Sequence, residues 1–216
     1  MRCYWFSRII LAFPMLKQVT AILLLSVLNL PGQGENGSDS FAYRAPVVQK
    51  LVFRGDVMLA QERNSYATNL ATYAANHVVS RMASKESLEN ARRILALALH
   101  LERRNKQAMV VNFQLREGVL PDVKKGDYNP RTFARLLLAR AKLLRKDASD
   151  DESGKLLASC FIEMAAYIDP RNEDAVFEFE SQRIDHGEIN WALLTDSARD
   201  APGLNADPGA PLSDGR

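Results

Sequence analysis

ARRILALALHLERRNKQA, residues 91–108, returns as ASCFIEMAAYIDPRNEDA, residues 158–175. Six positions keep their offset of 67: Ala91 and Ala158, Leu95 and Ile162, Ala98 and Ala165, Leu101 and Ile168, Asn105 and Asn172, Ala108 and Ala175. The apolar positions recur every three or four residues, the period of one helix face. The Asn that follows each run falls in the turn after the helix. A unit of this kind cannot bury its apolar face alone, so two copies in one chain imply stacked helices. Small Ala91, Ala98, Ala158 and Ala165 on that face let a neighbouring helix come close.

Working outward, the spacing predicts a long helix over about 58–82, in which Tyr66, Leu70, Tyr73, His77 and Met82 fall on or near one stripe. Ser84 is placed to cap the next helix, about 85–103, whose face is Leu88, Ala91, Ile94, Leu95, Ala98 and Leu101. A third helix, about 105–117, carries Met109, Val110, Val111, Phe113 and Leu115 and reads as apolar on most sides, which predicts burial between neighbours. Residues 118–129 form a loop with Pro121 and Gly126, and Asn129-Pro130 restarts a helix with Asn at the N-cap and Pro at the first position. That helix, 131–146, carries Arg131, Arg135, Lys142, Arg145 and Lys146 on one side and Phe133, Leu136, Leu137 and Leu144 opposite. An acidic loop, 147–152, leads to the second copy, with helices over 153–168 and 173–184 that His186-Gly187 closes. Residues 189–194, Ile-Asn-Trp-Ala-Leu-Leu, form a short apolar segment in which Trp191 is the candidate cap of the open end of the stack.

Ala158, Ile162, Ala165, Asp169-Pro170, Asn172 and Ala175 resemble the second helix and turn of a tetratricopeptide repeat. The spacing of 67 is close to two such repeats. The first copy has Arg103 where the Pro would stand, and neither copy is preceded by the bulky residue, Leu-Gly and Tyr of the family's first helix. The resemblance implies an all-α fold of stacked helical hairpins, a fragment of an α-solenoid, with a concave face that binds a protein partner. It assigns no ligand-contacting residues.

Four segments follow: 1–34, a signal peptide or N-terminal anchor; 35–56, a linker and extended arm; 57–198, the helical repeat domain; 199–216, a disordered tail by composition. The apolar run Val19–Leu30 has signal-peptide length, follows Lys17 and ends at Pro31-Gly32-Gln33-Gly34. Residues 9–30 retained as a membrane anchor are the alternative, and membrane contact is expected only through this segment. Met15 offers a second start. Residues 1–14 would then be an upstream extension, an idea that peptides containing Trp5 would overturn. Of the two cysteines, Cys3 lies in the targeting segment and Cys160 in an apolar helical run, where a buried structural thiol is expected.

The net charge of +2 hides an asymmetry. Residues 85–146 hold 15 Lys/Arg against 6 Asp/Glu, and residues 147–216 hold 5 against 16. Either the two halves neutralise each other, in the fold or in a homo-oligomer, or the basic face meets an anionic partner; export argues against nucleic acid. Arg140 falls within the apolar face of its helix and is expected to meet a carboxylate, with Glu163 and Asp169 as candidates. The basic stripe reads as a solvated face or as a partner-binding surface.

The sequence has no His-Glu-x-x-His, no paired-cysteine metal spacing, no phosphate-cradling glycine loop and no Gly-x-Ser-x-Gly. His77 reads as a core-edge histidine, and His100, off the apolar stripe, reads as solvated. No catalytic residue, metal ligand or cofactor is assigned. The expected function is non-covalent: an exported scaffold that binds another protein at the cell envelope. An accessory subunit anchored in the membrane and a small hydrolase or its remnant are the alternatives.

Overall fold

The computed structural model describes residues 43–147 and 151–197. The targeting segment and the predicted tail at 199–216 lie outside the described residues. Seven helices are present, α1 (Ala60–Ser80), α2 (Lys85–Leu101), α3 (Lys106–Arg116), α4 (Pro130–Asp147), α5 (Glu152–Ile168), α6 (Glu173–His186) and the short α7 (Ala192–Thr195), and there is no sheet among the described residues. The chain is all-α, with packed helix pairs compatible with a helical repeat. No helix among the described residues is long and apolar enough to cross a membrane.

The repeated spacing extends to the helices themselves. α2 and α5 start and end 67 residues apart, as α3 and α6 also start. Their caps correspond as well. Asn105 Oδ1 accepts the Ala108 N–H at 2.9 Å, and Asn172 Oδ1 accepts the Ala175 N–H at 3.3 Å. Glu102 and Asp169 end α2 and α5 with equivalent backbone bonds to Ala98 O and Ala165 O. These Asn side chains satisfy an N–H that the first helical turn would otherwise leave orphaned. Asn129 does the same for α4, accepting from the Thr132 N–H at 2.9 Å. Each unit is thus an antiparallel hairpin, α1–α2 or α4–α5, followed by a third helix packed on it.

The four repeated alanines are fully buried, as are Leu95 and Ile162, so the repeated face is the core. The two hairpins meet through aromatic rings. Tyr66 stacks on Phe161 with centroids 5.3 Å apart and touches Phe133, while its hydroxyl donates to Leu136 O at 3.3 Å. Cys160 is buried, and burial pushes its thiol far up.

Segment 43–59 is an extended arm rather than a strand, joined to the end of the described chain at one point, where Val47 pairs with Asp196. The Val47 N–H donates to Thr195 O and the Ser197 N–H to Val47 O. Asp196 also lies 2.9 Å from Arg44 and 2.8 Å from the buried Arg92. These contacts tie the segments flanking the helices to α2.

Three expectations need correction. His100 is buried, not solvated: the arm and α7 cover that side of α2, so the Val52 N–H donates to His100 Nδ1 at 3.3 Å and Nε2 faces Leu194 O at 2.9 Å. On α3, Met109, Val110 and Phe113 are exposed, and only Ala108, Val111 and Leu115 are buried, because one side alone of α3 is packed on the hairpin. Trp191 is buried, yet α7 lies against α2 rather than over the open end at α6, where Phe177 and Ile184 remain exposed.

Candidate functional site between the two repeats

A cleft of about 610 Å³, open to solvent on one side, lies at the seam of the two repeats. α1 contributes Tyr73, His77 and Arg81, α2 contributes Asn90 and Arg93, and α5 contributes Glu163 and Tyr167. Val176 and Phe179 of α6 add apolar wall. Tyr73 and His77 are one helical turn apart, so their rings stack at 5.7 Å. Tyr167 meets both edge-on from the other repeat.

A polar relay crosses the seam. Asn90 Nδ2 donates to Tyr167 Oη at 2.7 Å, and Tyr167 Oη lies 2.8 Å from His77 Nε2. Tyr167 Oη, which accepts from Asn90, donates to His77 Nε2 or accepts from it according to the tautomer of the neutral ring. Burial, reinforced by the Arg81 charge, holds the His77 pKa below its ordinary value, so the neutral ring is favoured. Burial pushes Tyr73 up to about 12 and raises Tyr167. At neutral pH the relay is therefore uncharged, between the cations Arg81 and Arg93 and the carboxylates Glu86 and Glu163.

Glu163 does not pair with Arg140. It accepts from Trp191 Nε1 at 2.8 Å, and burial raises its pKa. Trp191 thereby reaches α5 from the segment on α2 and braces one wall of the cavity. Arg140 instead lies 3.0 Å from Glu62 through Nε and donates through Nη2 to Val57 O at 3.2 Å. The sequence-based candidates Glu163 and Asp169 are replaced because Glu62 lies on α1, which faces Arg140 across the hairpin interface.

The five basic residues of α4 divide. Arg145 meets Glu178 at 3.0 Å and Gln182 at 2.8 Å, and Lys142 meets Glu178 at 3.4 Å, so part of the basic stripe and part of the acidic segment are each other's partners. Arg131, Arg135 and Lys146 are exposed and make no ion pair among the described residues. None of the five lines the seam cavity.

A second cavity, about 770 Å³, shares Tyr73, His77, Arg81 and Ile168 with the first. Residues 124–130 form its far wall. Sequence reading placed His77 at a core edge but missed its partners, since Asn90 and Tyr167 are read from other helices. The signal available was Tyr73 and His77 one turn apart on a helix otherwise lined with alanine. No group of three or more His, Cys, Asp or Glu side chains able to hold a metal occurs among the described residues. Compared with protein-family models, curated proteins and solved structures, the chain matches none.

Proposed function

We propose that this protein is an exported helical-repeat scaffold, of the tetratricopeptide kind, that holds a segment of another protein non-covalently in the seam between its two repeats. The observation that carries the reading is the lining of the 610 Å³ cavity: aromatic rings, an amide, and charges of both signs. A polypeptide has the matching chemistry, with apolar side chains for the rings, backbone for Asn90 and charged groups for Arg81, Arg93 and Glu86. Export is supported by the 19–30 apolar run behind Lys17. Charge-led encounter at the cell envelope would weaken as salt rises.

The test is crosslinking capture of the C-terminally tagged chain from its own cells, with the crosslinked residues mapped by mass spectrometry. The expected result is one reproducible protein crosslinked to residues 73–93 or 163–179, and loss of that capture in Tyr167→Ala. A partner crosslinked only to α3 or to the free end of α6 would overturn the seam reading. Fractionation of the same cells separates the two fates of the N-terminal segment: an anchored chain sediments with membranes, a cleaved one does not.

A further inference from the structure

α1 carries Asn69, Thr72 and Asn76 on one face, and residues 119–129, Val-Leu-Pro-Asp-Val-Lys-Lys-Gly-Asp-Tyr-Asn, run across it. The Asn76 carboxamide binds both backbone groups of one residue, Nδ2 donating to Lys124 O at 2.7 Å and Oδ1 accepting from the Lys124 N–H at 3.0 Å. Two turns earlier, Asn69 Oδ1 accepts from the Asp127 N–H at 3.2 Å, and its Nδ2 donates to the Asp127 carboxylate at 3.0 Å. Lys124 Nζ reaches Gln107 Oε1 on α3 at 3.0 Å. From residue 120 to residue 128 the segment makes no backbone–backbone hydrogen bond with any described residue.

We propose that this face of α1 is a track for an extended polypeptide, and that segment 119–129 is its internal occupant, displaced when a partner segment binds. The proposal rests on the scaffold reading above and adds to it the conformation of the ligand and its competitor. A carboxamide that pairs with the N–H and C=O of one residue reads backbone, as a neighbouring β-strand would, and so accepts any extended chain. Selectivity comes from the flanks. At Gly126 an added Cβ would stand in ordinary van der Waals contact, 3.4 Å from Asn69 Oδ1 and 3.5 Å from Thr72 Cγ2, so the track accepts Ala there as well as Gly. Asn69 Nδ2 favours an acid or amide at the next position. A partner segment with a basic residue, a small residue two places on and then an acid matches the order of the occupant.

The occupant is weakly held. Of its residues Pro121 alone is buried, and Val123 is 68% exposed. A segment with few buried apolar atoms and exposed hydrogen bonds belongs to the part of a fold that opens first. It also walls the 770 Å³ cavity that shares Tyr73, His77 and Arg81 with the seam, so its departure joins the track to the seam cavity. The second repeat has no such track: the equivalents of Asn69, Thr72 and Asn76 are Leu136, Ala139 and Leu143.

The test uses the full chain with Lys124→Pro and Asp127→Pro, which remove both N–H groups and the carboxylate that Asn76 and Asn69 bind, and a fluorescent synthetic peptide of residues 119–129 as probe. The peptide is expected to bind the substituted chain and not the intact one, with affinity falling at least about tenfold when Asn76→Ala is added. A substituted chain with native circular dichroism and melting that ignores the peptide overturns the proposal. If the substituted chain does not fold, hydrogen exchange of the Lys124 and Asp127 amides of the intact chain, the two held by α1, decides: exchange of both together and well ahead of α1 supports displacement, and exchange only in global unfolding overturns it. Failure of the peptide while the partner still crosslinks at the seam overturns the track alone. Loss of partner capture with peptide binding intact overturns the scaffold reading alone.

Discussion

The two repeats share one backbone plan and differ in how the third helix meets the first helix of its unit. In the first, Val111 and Leu115 of α3 are buried, as are Ala75 and Val78 of α1, the helix on which α3 packs. In the second, the positions 67 residues on are Glu178 and Gln182 on α6, and Lys142 and Arg145 on α4, joined by ion pairs and a hydrogen bond. α4 touches α6 sparsely, whereas α1 and α3 pack closely. The comparison teaches that the repeated alanines and Asn caps fix the hairpin and its turn. The third helix is free to be held by apolar burial or by charge. It also locates the charge asymmetry of the sequence, part of which is consumed inside the second repeat.

The sharpest way to break the comparison is at Leu115, which is fully buried. Leu115→Ala is expected to cost about 2–5 kcal/mol in denaturant unfolding, through lost burial and the cavity left behind. Gln182→Ala, at the equivalent position, should cost well under half of that. Equal losses would mean that the two third helices are held alike. The caps come next. Asn105 is buried and, besides capping α3, donates to Asn64 Oδ1 at 2.8 Å and Thr68 Oγ1 at 2.7 Å. Asn105→Ala is therefore expected to cost about 1–3 kcal/mol, since it leaves the buried Ala108 N–H unsatisfied and removes the bonds to α1. Asn172→Ala removes the longer cap bond and should cost about 1 kcal/mol or less.

The helices and caps were legible because they depend on local spacing: Ala91 to Ala108 and Ala158 to Ala175 predict where α2, α3, α5 and α6 start. What was not legible depends on which element covers a face. The burial of His100 follows from an arm and α7, nearly 50 residues before it and more than 90 after it. α3 reads as apolar on most sides because Met109, Val110 and Phe113 are of the same kind as the residues of its buried side. Periodicity shows that a face exists, not that it is covered. The seam site was hidden for the same reason, its relay being drawn from α1, α2 and α5 with no spacing in common.

His100 and its repeat equivalent Tyr167 offer a third test. His100 accepts the Val52 N–H through Nδ1, and burial lowers its pKa despite the hydrogen bond to Leu194 O. The folded chain thus holds the ring neutral, while the unfolded chain takes up the proton near pH ~6.5. Stability from this site is complete above that pH and falls as the pH drops through it towards the lowered folded value. His77 acts in the same direction. The urea midpoint should decline between about pH 7.5 and pH 5.5, and His100→Gln should flatten that slope. A slope unchanged in His100→Gln and in His77→Gln would remove both histidines from the account.

The smallest effect is the most diagnostic of how α6 is attached. Arg145 and Glu178 are partly exposed, at 36% and 26%, so their pair gains little over solvated charges. A double-mutant cycle of Arg145→Ala and Glu178→Ala should give a coupling of about 0.2–1 kcal/mol at low salt, shrinking as the Debye length falls from about 10 Å at 0.1 M towards about 3 Å at 1 M. The Leu115→Ala loss should not shrink in this way, because burial of apolar surface is not screened. If the coupling survives 1 M salt, α6 is held by the hydrogen bond of Arg145 to Gln182 and by packing rather than by charge. The contrast between the repeats would then reduce to the identity of the side chains and not to the kind of force that holds them.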